Sequence, residues 1–315
     1  MEENTQPALP PINPAIKALS HIIILMGLYF TFGVLFSLLG TYLGELVTGV
    51  PVKLDTNLML ADLADENKKP AYKIYFLVSS LGAFVFTALV FATVFARQKP
   101  REYFGYKRIF PPAKQFALVA LIAVVAVPII SYIAYLTRQI AMPAEWADVM
   151  DLQRTNDSIG NAIIRADNIP VLLFNLCVMA IAPALGEELL FRGAFMQTFY
   201  RFFGNRIHIA VFTVAFLFSA VHLQVYNFLA IMMMGVLFGY LYYWSGNIMV
   251  SVWAHFFNNA IAVLSGYLYT LNPSQEVYAT EYEFGWQAAL VCTVVFVLAV
   301  FAFYKVTRPY HAESE

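Results

Sequence analysis

Residues 170–200, PVLLFNLCVMAIAPALGEELLFRGAFMQTFY, decide how this chain is read. The run is apolar enough to cross a bilayer, yet Glu187, Glu188 and Arg192 stand inside it. A bilayer-crossing helix needs about 20 mostly apolar residues. Each ionisable group at its centre costs about 2.5–3.5 kcal/mol on insertion scales, so such groups mark a partner or a task. Working outward, further apolar runs lie at 19–46, 74–96, 116–136, 207–222, 226–244, 248–269 and 284–304. The expected fold is an all-α polytopic membrane protein of about eight transmembrane helices with a polar intramembrane cavity.

Composition agrees with that reading. The 315 residues are 60% hydrophobic and 12% charged, against roughly 25% charged in soluble domains. A net charge of -1 gives no footing for a nucleic-acid partner. Cys177 and Cys292 fall inside apolar runs and read as small core residues, with no disulfide or metal-ligand pattern. The start, Met-Glu-Glu, lacks a basic stretch, and no cleavable signal peptide is expected. With eight spans both termini share a side. That side holds the basic 97–114 connection and carries more Lys and Arg than the other, so cytoplasmic termini in the cell membrane are expected.

Three connections exceed tight turns. Positions 47–73 are polar and expected to be solvated. Positions 138–168, with Trp146 among alternating acidic and apolar residues, suit an amphipathic helix at the interface. Positions 271–283 are acidic and polar. The chain divides into a three-span region with its interfacial loop at 1–169, a core at 170–265, and a final span with its tail at 266–315, all one structural domain.

The polar residues inside the spans carry the chemistry. Helical residues four apart share a face, and three pairs here use that spacing: Glu188 with Arg192, Phe218 with His222, and His255 with Asn259. Glu188 and Arg192 therefore read as an ion pair. Glu187 lies about 140° around the helix from Arg192 and points elsewhere. Of the two acids, Glu187 is the one available for chemistry. Pro183 opens the backbone ladder just before them. A buried carboxylate has a raised proton affinity suited to a general base, an imidazole can hold and polarise a water, and a second imidazole with an amide can stabilise an oxyanion. That parts list suits peptide hydrolysis by an activated water. The same ligand types, Glu187, His222 and His255, also suit zinc, although the His-Glu-x-x-His helix of zincins is absent. No bound cofactor is expected otherwise.

Taken in order, Glu187-Glu188-x-x-x-Arg192, Phe218-x-x-x-His222 and His255-x-x-x-Asn259 resemble the motifs of the CPBP family, the CAAX proteases and bacteriocin-processing enzymes also called Abi. The resemblance covers roughly 170–265. It implies an eight-helix intramembrane endopeptidase of glutamate-dependent, metal-free mechanism. In that scheme Glu187 and His222 activate water, and His255 and Asn259 form the oxyanion site. Glu188 and Arg192 give structural support, and Phe218 packs against the site. The implied partners are a membrane-associated CAAX-like or leader-peptide substrate and the lipid bilayer. Two other classes use the same residues. A proton-coupled transporter would show paired, broken halves, and no such repeat is visible. A non-catalytic immunity scaffold would tolerate loss of His222.

One tension is built into the spacing. His222 falls at the far end of a short span, whereas His255 lies roughly 12 Å inside the opposite face. The two meet only if the 223–227 turn is sunk in a protein-lined cavity, as irregular backbone at depth requires.

Overall fold

The computed structural model describes residues 13–275 and 283–307, and these contain helices and no strand. In chain order the helices are α1 (Pro14–Thr48), α2 (Thr56–Asp62), α3 (Lys69–Phe95), α4 (Pro100–Tyr103), α5 (Ala113–Arg138), α6 (Ala147–Ile164), α7 (Ile169–Phe202), α8 (Ile207–Val221), α9 (Phe228–Ser245), α10 (Ile248–Leu271) and α11 (Trp286–Thr307). Among the described residues seven of these, α1, α3, α5, α7, α9, α10 and α11, are long and apolar enough to cross a membrane. The chain is an integral multi-pass membrane protein. The eighth expected span, α8, has 15 residues. Its length of about 22 Å falls short of a hydrocarbon core of about 30 Å. The expectations placed on 1–12, 276–282 and the tail from 308 lie outside the described residues.

Burial sorts the helices into centre and rim. Half of the most apolar window of α9 and of α10 is buried, against 11% for α1 and 17% for α11. With no hydrophobic force acting between helices in lipid, close approach depends on small residues. A Cβ on Gly235 of α9 would stand 3.0 Å from the backbone and side chain of Ala215 on α8, so this pair packs backbone to backbone. The Gly235 and Gly239 spacing thus serves packing within the chain. A Cβ on Gly186 would meet Phe84 at 2.7 Å, which locks α7 against α3 one residue before Glu187.

α7 is regular only in part. π-helical turns occupy Cys177–Ile181 and Glu188–Phe195, on either side of Pro183. Such turns arise where the i→i−4 ladder is interrupted and concentrate at functional positions.

Two expectations need correction. Positions 47–73 are not a plain solvated loop. Val52, Met59 and Leu63 join Ala71 and Tyr72 of α3 and Ile159 and Ile163 of α6 in one apolar cluster, while Asp62 is tied down by Lys53, Lys68 and Tyr72. Asp55, accepting from the N–H groups of Asn57 and Leu58, caps the small helix α2 there. Cys177 is exposed rather than a core residue, on the outward side of a π turn of α7; Cys292 is half-buried.

The helix expected between 138 and 168 is α6, entered through a 3₁₀ turn at Ala144–Trp146. Trp146 is exposed.

Candidate active site

The candidate residues come from three helices. α7 supplies Glu187, Glu188 and Arg192, the C-terminal end of α8 supplies Phe218 and His222, and α10 supplies His255 and Asn259. Glu188 and Arg192 are both fully buried, and the guanidinium Nη1 donates to Glu188 Oε1 at 2.6 Å. Arg192 Nη2 donates to the carbonyl of Gly235 at 3.2 Å, and its guanidinium lies 4.4 Å from the ring centre of Phe218. The ion pair inferred from the i,i+4 spacing is therefore present, and it also ties α7 to α9.

Glu187 turns away from that pair, towards the histidines. Its Oε2 lies 4.0 Å from His222 Nε2 and 3.9 Å from His255 Nε2. This buried oxygen has no hydrogen-bond partner within the protein. An oxygen about 2.8 Å from both members of such a pair subtends an angle of about 90°, within reach of one bridging water.

The tautomers follow from the partners. His222 Nδ1 faces the carbonyl oxygen of Phe218 at 2.6 Å. A carbonyl can only accept, so Nδ1 carries the proton and a neutral His222 presents a lone pair at Nε2. His255 Nδ1 faces Glu188 Oε1 at 2.9 Å, so it too donates and leaves Nε2 towards Glu187. Three acceptor positions thus converge when both rings are neutral and Glu187 is ionised. Such a set is satisfied only by bringing in protons, whether from water or on an imidazole.

Sequence reasoning did not find that Glu188 serves two donors through one oxygen, Arg192 and His255. That contact depends on the distance between α7 and α10, for which a spacing pattern carries no signal. Phe238 was also missed. It stacks on the His255 ring at 5.2 Å, and no local pattern distinguishes it from Phe228, the other phenylalanine of α9. Phe218 does more than pack: it meets His222 edge-on at 4.7 Å, faces Arg192, and gives its carbonyl to His222.

A cavity of about 820 Å³ opens beside the histidines. Phe218, His222, His255, Asn258 and Asn259 line one part, and Arg138 with Glu283 lies at another, joined by an ion pair of 3.6 Å. Asn259 therefore shares the cavity with the histidines, and its carboxamide oxygen is contacted by Asn258 Nδ2 at 3.4 Å.

The fit to zinc is poor. Donors at about 2.0–2.2 Å from a tetrahedral zinc lie roughly 3.3 Å apart, whereas Glu187 stands 3.9 and 4.0 Å from the two histidines. Among the described residues no three His, Cys, Asp or Glu groups close on a metal position.

With the geometry in place, comparison with known proteins names the segment. Residues 169–261 match the family described as type II CAAX prenyl endopeptidase Rce1-like. The 169–261 segment is thus similar to that family. It begins with α7 and ends within α10, so it holds every candidate residue named above. "Uncharacterized protein YpbD" of Bacillus subtilis (strain 168) is 31% identical over 107 residues, 33% of this chain and 49% of that protein. The chain thus spans about half the length of the curated relative it matches. No solved structure matches the chain.

Proposed function

We propose that this protein is an intramembrane endopeptidase that hydrolyses a peptide bond of a membrane-associated substrate with a water activated by Glu187 and His222. One observation carries the reading: a buried, unpartnered carboxylate oxygen faces two imidazole nitrogens at 3.9–4.0 Å beside a large cavity, within an Rce1-like segment.

In this reading the water sits between Glu187 Oε2 and His222 Nε2. The water oxygen attacks the scissile carbonyl carbon, and its proton passes to Glu187. The oxyanion that forms is met by His255, protonated at Nε2 with its other nitrogen held by Glu188, and by the Asn259 amide. When the tetrahedral species collapses, the C–N bond breaks and Glu187 returns the proton to the leaving amine. Donors arranged in advance at the oxyanion are worth about 10²–10³ in rate. The general base adds about 10²–10⁴. No step is routed through a metal.

The cavity runs beside α5 from Val124 to Arg138 and beside α10 from His255 to Ser265. At 1.5 Å per residue these stretches are roughly 21 and 15 Å long. Such a slot takes about four to six residues of extended peptide at 3.3 Å each. A prenylated C-terminal peptide and a leader peptide are the two substrate candidates, and cleavage takes place at the cell membrane.

The test compares N- and C-terminal proteomes of cells carrying wild type or Glu187→Gln at equal membrane levels. Cleavage products, prenylated or not, are expected to vanish in the variant. Identical product sets would overturn the reading.

A further inference from the structure

We infer that α6, a helix outside the Rce1-like segment, holds His222 in place, with Gln153 and Asp157 as its positioning residues. The inference rests on the role of His222 proposed above.

α8 ends at Val221, and His222 stands in the turn that follows. The next residue, Leu223, has φ +52°, a left-handed conformation that L residues rarely adopt. The Leu223 side chain is exposed, so its own burial does not hold the turn. What holds it comes largely from one face of α6. Gln224 Nε2 donates to Asp157 Oδ1 at 3.3 Å, the backbone N–H of Tyr226 donates to Gln153 Oε1 at 3.3 Å, and the Tyr226 hydroxyl reaches Met150 Sδ at 3.2 Å. Positions 150, 153 and 157 repeat at the i, i+3, i+7 spacing that places side chains on one helix face. Gln153 is buried, and its amide nitrogen leans on Asp157 Oδ2 at 3.5 Å, which joins the two contacts into one brace. From the other side Thr137 of α5 donates to the Tyr226 carbonyl.

The brace is itself anchored. Ile159 and Ile163 of α6 sit in the apolar cluster formed with Val52, Met59, Leu63 and Tyr72. Backbone polar groups of an irregular turn need partners, and α6 supplies one to the Tyr226 N–H and side-chain contacts to Gln224 and Tyr226, two and four residues after a histidine that must face Glu187. The 147–164 helix thereby has a task that its amphipathic pattern alone does not state.

The test needs no substrate. Full-length protein in detergent micelles is treated with diethyl pyrocarbonate, and the labelling rate of each histidine is read by mass spectrometry. Exposed His208 is the internal reference. A single hydrogen bond contributes a factor of about five, so Asp157→Ala and Gln153→Leu are each expected to raise His222 labelling about fivefold relative to His208. Asp157→Asn keeps an acceptor for Gln224 and is expected to stay within about twofold of wild type on the same scale. Adding Leu223→Gly to Asp157→Ala is expected to recover much of the change, since glycine takes positive φ freely. Glu187-dependent cleavage should fall and recover in parallel. Unchanged His222 labelling in the Gln153→Leu, Asp157→Ala double variant overturns the inference, as does an equal rise at His208. Should the Asp157 variant not be recovered folded, Gln224→Leu removes the same bond from the turn's side and is judged by the same ratio. Products that persist in Glu187→Gln would remove the protease reading while leaving this labelling result to stand or fall alone.

Discussion

Removing the Arg192 guanidinium tests how the buried charges are arranged. Arg192 and Glu188 are 1% and 0% exposed in their side chains, so neither is screened by water. Arg192→Met keeps the apolar stem between Phe218 and Phe238 and deletes four interactions. These are the 2.6 Å bond to Glu188, the 3.2 Å bond to the Gly235 carbonyl and the contacts with the Phe218 and Phe238 rings at 4.4 and 5.4 Å. Glu188 would keep only His255 Nδ1 at 2.9 Å among its bonds, and its second oxygen has no hydrogen-bond partner in the native protein either. Breaking a buried pair from one side costs about 3–5 kcal/mol, mostly for the charge left behind. Replacing both partners, Glu188→Leu with Arg192→Met, leaves no buried charge at this position and is expected to cost much less in stability. The double variant should nevertheless lose activity, because His255 then has no acceptor at Nδ1. Thermal unfolding in detergent, followed by intrinsic fluorescence, gives the stability arm, and Glu187-dependent cleavage gives the activity arm. A single variant within about 1 kcal/mol of wild type would refute the reasoning, since one neutral hydrogen bond accounts for that much.

Three further outcomes follow from other sites. Gly186→Val drives a Cβ into Phe84, 2.7 Å away, and adds two methyl groups; overpacking of this kind costs about 1–3 kcal/mol, so the midpoint should drop, and an unchanged midpoint would contradict the α3–α7 contact. The Asp62 carboxyl is held from an ordinary 3.8 down to about 2, first by Lys68, then by Tyr72 and Lys53. Its contribution to stability is therefore complete above 3.8 and lost as pH falls through about 2. Unfolding midpoints between pH 5 and 2 should fall more steeply for wild type than for Asp62→Asn, and parallel curves would contradict the ion-pair reading. Glu187-dependent cleavage should survive EDTA and 1,10-phenanthroline; loss of activity restored by added zinc would overturn the metal-free mechanism.

The linear sequence determined a good deal. Apolar runs of bilayer length fixed the class of fold, because the rule that lipid enforces, helices with every backbone group paired, is a rule about consecutive residues. The spacing of Glu188 and Arg192 fixed their pairing for a similar reason, since one helix carries both. That Glu187 faces away from Arg192 followed from the same turn geometry. The short fifth span, with His222 at its far end, likewise follows from counting apolar residues.

Tertiary structure decided the rest, because the remaining relations join residues far apart in the chain. Glu188 and His255 are separated by 67 positions, and no local period reports that α7 and α10 approach within a hydrogen bond. The buried Asp62 cluster, the exposure of Cys177, and the clasp of Gln153 and Asp157 on the turn after His222 depend in the same way on which helices touch. Hydrophobicity and helical period specify what each segment can bury. Small residues, π turns and interhelical hydrogen bonds select the neighbour against which it is buried, and that selection brings Glu187 and the two imidazoles together.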